Sequence, residues 1–376
     1  MKLGIDVLRA QDFAAIRGRR VGLMTNLNVT DSQLAPTYEV FRRAGLINAL
    51  LAPEHGLTGS LRDGELIASG IDARSGVPMH SLYADSSFRP KPEIFTGLDV
   101  VVCDIPDVGA RYYTFLWSLS HLLEVLGERG IKVIVLDRPN PLGDRIAGSP
   151  LRPEVASIVG RFNVPICHGM TVGELALMFN DKWSPTPCDL EVIRCADWQR
   201  HMTWDQVGMP FVPASPAMPH FVTAQHYPGA CLVEGTNFSE GRGTVLPFEI
   251  VGAPFVDAFG LADALNALSL AGVIFRPHSF RPSSGKFAGE MCYGVHAHIV
   301  DAHAYDPITV WLHVIRHLRA AYPDQFEWKR HFDLLIGSTG IRAQLDRGVP
   351  VSEIMAGWSD FHAEFRDQRA PYLLYE

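Results

Sequence analysis

What this chain lacks narrows it first. Its six cysteines (Cys103, Cys167, Cys188, Cys195, Cys231 and Cys292) form no CxxC pair, and most sit among apolar neighbours. That pattern argues against a disulfide scaffold or a thiolate zinc site and suits buried thiols in a reducing compartment. No apolar run is long enough to span a bilayer, and Met1-Lys2-Leu3-Gly4-Ile5-Asp6 reaches an acid without a signal-peptide core. A cytoplasmic protein without a membrane partner is the expectation. Positive charge is also short: 33 Lys and Arg stand against 41 Asp and Glu, a net charge of −8, with no basic block. Nucleic acid is therefore not expected as a partner. No GxGxxG follows the first strand, and neither a Walker A nor an HExxH motif occurs. No dinucleotide, ATP, metal or other cofactor is implied.

What is present is an ordinary globular composition, 47% hydrophobic and 20% charged over 376 residues, a length that suggests two domains. The apolar runs 20–26, 47–52, 98–103, 132–136 and 190–193 read as strands, and helical segments lie between them, notably 37–44 and 171–180. Tyr112, Leu116, Leu119, Leu123 and Leu126 follow helical spacing. Strands that are continuous rather than alternating apolar runs, separated by helices, predict a parallel sheet covered on both faces. Pro210, Pro213, Pro216 and Pro219 then break any regular element. The expected division is an α/β domain over 1–215 and a smaller α+β domain over 216–376. In the second domain a helix is expected at 258–270, strands at 273–276 and 292–300, and helices after Pro307.

Charge gathers where the apolar runs stop. Glu54 and His55 follow one strand; Asp104, Asp107, Arg111 and Tyr113 follow another; Asp137, Arg138 and Asn140 follow a third; His168 precedes Thr171-Val172-Gly173-Glu174. Ionisable groups are expensive to bury, and ligands of open α/β sheets sit at the carboxyl ends of the strands. Each island also has a plain reading as a turn or cap. Asp107 suits an N-cap, and Thr171 with Glu174 fits a capping box. A carboxylate in a first helical turn is favoured in its ionised form, so Glu174 suits a base, nucleophile or electrostatic stabiliser. Glu54 and Glu174 together would make a two-carboxylate glycosidase site. The Gly-rich stretch holding Glu234, Asn237 and Arg242 reads either as hairpin turns or as a loop over a site. Ser283-Ser284-Gly285-Lys286 matches SxxK by spacing alone, and His296, His298 and His303 read as structural or surface histidines.

Taken in order, the islands resemble the NamZ-type exo-β-N-acetylmuramidase family. The resemblance runs through Gly22-Leu23-Met24-Thr25-Asn26, Pro53-Glu54-His55-Gly56-Leu57, Ser81-Leu82-Tyr83, residues 104–114, 136–141, 168–175, 213–219 and 234–244. It implies a Rossmann-like N-terminal domain carrying the active site and an auxiliary C-terminal domain whose Gly-rich loop closes the cleft. It also implies hydrolytic release of N-acetylmuramic acid from non-reducing ends of peptidoglycan fragments, with Glu54 and Glu174 as the catalytic pair. The lactyl carboxylate of that sugar would give an arginine fork (Arg111, Arg138 or Arg242) a role. His55, Asp104, Tyr113, Asp137, Asn140, His168, Glu234 and Asn237 complete the expected saccharide-binding set. The chain departs from the family pattern at Asn26-Leu27-Asn28, at Pro106 in place of Gln and at Ala217 in place of Asn. The last two changes leave open a binding module that has lost the chemistry. A metal-assisted hydrolase using His55, His168 and the aspartates is the other alternative.

Overall fold

The apolar runs of the first unit fold into strands that are buried apart from Lys132 and the half-buried Leu190, Glu191 and Val192 at the sheet edge, as expected of a parallel sheet packed against helices. In chain order the strands are β1 (Val21–Met24), β2 (Ala49–Ala52), β3 (Gly70–Ile71), β4 (Pro78–Ser81), β5 (Val100–Cys103), β6 (Lys132–Leu136) and β7 (Leu190–Ile193). They form one sheet in the order β3-β4-β2-β1-β5-β6-β7, parallel throughout except for the short edge strand β3. With β3 set aside, the order is the doubly wound 3-2-1-4-5-6, whose ligand crevice opens at the carboxyl ends of β1 and β5. The expected α/β architecture is present. β3 and β4 were not legible as strands: β4 is half-exposed and opens on Pro78.

The computed structural model describes residues 1–61, 68–82 and 88–376, so Tyr83 of the Ser81-Leu82-Tyr83 motif lies outside the described residues. Two compact units divide the chain. The first comprises Met1–Arg145, His168–Pro219 and Asp367–Glu376, and the second Ile146–Cys167 and His220–Arg366. A single break at 215/216 had been expected from the proline run. The units exchange two further segments: 146–167 leaves as an excursion closed by the antiparallel bridge Ala147↔Cys167, and 367–376 returns.

In the first unit Leu23, Val100, Val102, Ile134 and Leu136 of the sheet pack with Leu3, Ile5, Leu8 and Phe41. The helix Phe115–Arg129 buries Leu116, Leu119, Leu123 and Leu126 as its spacing predicts, while Tyr112 lies in the turn before it. Trp117 of this helix meets Phe179 of the helix Val172–Lys182 at 5.4 Å between ring centroids.

The second unit contains an antiparallel sheet, β8 (Ile250–Ala253), β9 (Val273–Phe280) and β10 (Cys292–Ile299), in the order β8-β10-β9. β9 runs past its expected end through Pro277; at an edge strand the missing N–H breaks no ladder. The helices Phe221–Ala230 and Pro307–Ala321 cross at bare backbone, for a Cβ on Gly229 would lie 2.0 Å from the Pro307 carbonyl oxygen. Among the described residues no helix is long and apolar enough to cross a membrane.

Candidate functional site

Parallel pairing sets the strand ends of the first unit level. Leu51, Met24, Cys103, Val135 and Val192 are successive register partners, so the next residues open one common edge. β2 delivers Glu54 to this edge, β1 delivers Asn26, β5 delivers Asp104 and β6 delivers Asp137. Asn26 and Asp104 therefore flank the point where the strand order reverses.

Glu54 is buried, and its carboxylate accepts a hydrogen bond from the Thr114 hydroxyl. The turn that presents it is tight: Gly56 N–H donates to the Pro53 carbonyl at 3.0 Å, and His55 has a φ of +66°. A left-handed non-glycine residue stores strain, which gathers at functional sites. His55 is held there by the Leu61 carbonyl, 2.8 Å from its Nδ1. Asp104 is fully buried, accepts from Thr37 Oγ1 at 2.6 Å, and takes a two-pronged fork from Arg138 (Nε 2.5 Å, Nη2 2.9 Å). Arg138 also donates to the Thr30 carbonyl at 2.7 Å. Arg138 is thus committed to Asp104 rather than presented as an open fork.

Among the described residues of this unit, the buried atoms Asn26 Nδ2, Asp107 Oδ1, His168 Nε2 and Trp198 Nε1 have no hydrogen-bond partner, and the first three lie near the strand ends. Buried orphans are rare and mark sites where a ligand or water completes the bonding. His168 accepts from Met170 N–H through Nδ1 at 3.2 Å, which leaves the proton of the neutral ring on Nε2, 3.5 Å from Asp107 Oδ2. That same oxygen of Asp107 caps the turn at Gly109 N–H (2.9 Å), while the helix that follows begins only after Thr114. Arg111 is fully buried, and the Tyr113 ring lies tilted against Phe115 with centroids 5.2 Å apart. A slot of about 60 Å³ opens here between Asp31, Asp107 and Arg138 and the apolar Pro106, Trp204 and Phe211. It is far below the roughly 300–1,000 Å³ of a small-molecule pocket, so it can take a substituent but not a sugar ring.

Asp137 and Glu174 are occupied differently. Asp137 accepts from Tyr375 Oη (2.6 Å), Thr171 Oγ1 (2.8 Å), Gly173 N–H (2.8 Å) and Arg138 N–H (2.9 Å). Burial pushes its carboxyl up to about 6, against the pull of the bonds from Tyr375, Gly173 and Thr171. A Cβ on Gly173 would lie 2.8 Å from the Asp137 carboxyl carbon, so only glycine lets that N–H in. Glu174 does form the capping box with Thr171. Its carboxylate also carries a fork from Arg200 (Nη1 to Oε2 3.0 Å, Nη2 to Oε1) and the Leu374 N–H at 2.7 Å. With the Thr171 N–H at 3.0 Å, four donors hold it. Asn140 also has both ends of its amide engaged, by Leu142 N–H (2.9 Å) and the Met170 carbonyl (3.1 Å). Arg200 and Tyr375 were not singled out from the sequence, because no local pattern announces partners 26 and 238 residues away. Asn26 and Asp107 did carry a signal, namely their place at strand ends.

In the second unit Glu234 pairs with Arg242 Nε at 2.5 Å and lies 3.5 Å from His331 Nε2. Burial works against its charge, but the Arg242 guanidinium and the His331 imidazole hold its carboxyl below the usual range. Asn237 is tied at both ends to backbone, to the Gln325 carbonyl at 2.7 Å and Glu327 N–H at 2.8 Å. Its amide braces the Gly-rich loop. Lys286, set aside in the sequence as a spacing match, fastens that loop through the Val233, Glu234 and Phe238 carbonyls and Glu240. Among the described residues no group of three His, Cys, Asp or Glu is placed to hold a metal ion, so the metal-assisted alternative finds no donor set there.

Comparison with known proteins agrees with this geometry. Family models described as "Exo-beta-N-acetylmuramidase NamZ", N-terminal and C-terminal, match residues 21–222 and 225–375. The chain is 39% identical over 380 residues to the peptidoglycan beta-N-acetylmuramidase NamZ of Bacillus subtilis (strain 168), covering all of this chain and 91% of that protein. Two crystal structures of DUF1343 family proteins from Bacteroides fragilis NCTC 9343 are similar across all of this chain and 99% of theirs. Their TM-scores are 0.90 and 0.78, at 35% and 30% identity. With a doubly wound sheet, carboxylates at its mouth and matches along its length, the chain belongs to the exo-beta-N-acetylmuramidase NamZ family of glycosidases.

Proposed function

We propose that the chain hydrolyses the bond of a terminal β-linked N-acetylmuramyl residue on peptidoglycan fragments, and that Glu54 transfers the proton. The observation that carries the proposal is the position of Glu54: buried, held by Thr114, at the mouth of β2 on the edge shared with Asn26 and Asp104. Such hydrolysis needs one carboxyl to protonate the leaving oxygen and a second group to stabilise the cationic centre or direct water. The two-glutamate form of the mechanism gives that second part to Glu174. Its four hydrogen bonds favour a positioning role instead, since acting on a sugar would require breaking the Arg200 fork. Asp107, with an oxygen lacking a partner and His168 beside it, is the better placed second group. The slot beside Pro106 and Trp204 would take one substituent of the sugar. Six free, buried cysteines support a reducing, cytoplasmic setting, in which the substrates would be released wall fragments.

The test is turnover of a chromogenic N-acetylmuramide by wild type, Glu54→Gln, Asp107→Asn and Glu174→Gln. Loss of a general acid lowers kcat about 10²–10⁴-fold. Glu54→Gln should fall in that range with an unchanged melting temperature; full activity would remove Glu54 from the chemistry. An unaltered melting temperature with a collapsed kcat in Glu174→Gln would restore the two-glutamate form.

A further inference from the structure

The second unit holds a cavity of about 410 Å³, within the roughly 300–1,000 Å³ of small-molecule sites. Its floor is apolar: Ile341, Ile354 and the indole of Trp358 are all buried. Its wall carries Arg152, Arg347 and Glu353, all exposed. The frame is fixed by backbone bonds from Arg152 N–H to the Gly337 carbonyl (2.9 Å) and from Val349 N–H to the Gln344 carbonyl (3.0 Å). Neighbouring arginines of this unit are engaged. Arg342 pairs with Asp333 at 2.6 Å, Arg319 with Asp346 at 3.1 Å, and Arg316 donates to the Gly348 carbonyl at 3.2 Å. Among the described residues the side chains of Arg152, Arg347 and Glu353 make no such bond; they face the cavity instead.

We propose that this cavity is a second ligand site, for a short peptide bearing two carboxylates and one free ammonium group. Each guanidinium offers a planar fork that matches a carboxylate. Glu353 supplies the complement to an ammonium and repels a polyanion such as a diphosphate. A neutral sugar would leave three charges without a counterpart. The Trp358 floor takes an apolar side chain of the peptide. This site does not depend on the muramidase reading, because every residue named lies outside the proposed catalytic set.

Calorimetric titration of the full chain with the dipeptide alanyl-glutamate tests it. Wild type should show one saturable site, weakened at least tenfold by Arg152→Gln and by Arg347→Gln and less by the Lys versions, which keep charge without the fork. N-acetylating the dipeptide should weaken binding to wild type tenfold and have no further effect in Glu353→Gln. All of these variants should turn over a peptide-free chromogenic N-acetylmuramide as wild type does, which verifies that they fold. Glu54→Gln should lose turnover and keep the dipeptide. No saturable binding by wild type, binding indifferent to both arginine changes, tighter binding of pyrophosphate than of dipeptide, or loss of dipeptide binding in Glu54→Gln would each overturn the assignment.

Discussion

A buried donor with nothing to donate to destabilises a protein, and Asn26 Nδ2 is one such donor at the mouth of the central strand. Removing it relieves about 1–3 kcal/mol of desolvation penalty, offset by loss of the Asn26 Oδ1 bond to Asn28 N–H at 3.0 Å. Asn26→Ala should therefore melt within a few degrees of wild type while kcat/KM falls about tenfold or more. A parallel loss of both would make Asn26 merely structural. Glu174 should behave the opposite way. Removing its charge leaves the buried Arg200 unpaired, which costs about 3–5 kcal/mol, so Glu174→Gln should lower the melting temperature, and Arg200→Gln should do the same. At this scale the sequence was legible where chemistry and capping coincide locally. Thr171-Val172-Gly173-Glu174 announced its cap, but the Arg200 fork and the Leu374 N–H that saturate the same carboxylate depend on tertiary contacts that no spacing rule reports.

Among the elements, the segment 367–376 stands out, because its side chains and backbone lock the ends of β6 and β7. Tyr375 Oη donates to Asp137 and accepts from Cys195 N–H at 2.9 Å, its carbonyl accepts from Arg200 at 3.0 Å, and its ring meets Trp198 edge-on at 4.8 Å. Tyr375→Phe removes one hydroxyl that serves two buried groups, and should destabilise by about 1–3 kcal/mol, read as a shift in the urea midpoint. In the second unit, His226 bonds the Tyr305 hydroxyl through Nδ1 at 2.6 Å. Burial pushes its pKa from 6.5 down to about 4. The unfolded state therefore binds the proton first as the pH falls, so the stability this histidine contributes is complete above about 6.5 and lost towards about 4. The slope for one proton is about 1.4 kcal/mol per pH unit. Urea midpoints between pH 7 and 4 should fall less steeply in His226→Gln than in wild type, and parallel curves would exclude this histidine as a source of acid sensitivity. The parallel strands β1, β2, β5, β6 and β7 were readable because they are short, mostly apolar runs that end at polar or charged residues. β4 and β8 were not, one half-exposed behind Pro78 and the other hidden directly after the Gly-rich loop.

For the whole molecule, two compact units drawn from five segments replace the two contiguous blocks suggested by the proline run. A fragment covering 1–219 contains all seven strands of the large sheet but lacks the segment that satisfies Asp137, Glu174 and Arg200. Expressed alone it should melt earlier and hydrolyse less than the full chain, and a synthetic 367–376 peptide added in trans should recover part of both. Recovery absent in the presence of saturating peptide would mean that the segment is dispensable. Residue composition could not reveal this exchange, because 367–376 reads as an ordinary polar helix end running into a short apolar tail.

The Leu374 N–H to Glu174 bond joins groups 200 residues apart in sequence. During synthesis, then, the sheet and its mouth emerge from the ribosome long before their last fastening does. The nascent first unit must wait, with Asp137, Glu174 and Arg200 each short of one partner, until residues 367–376 have been made. A polypeptide interrupted anywhere between 219 and 367 would carry Glu54 and Asp104 but not the clasp that closes their unit. Synthesis through 367–376 thereby becomes a condition for the full set of bonds at the sheet mouth.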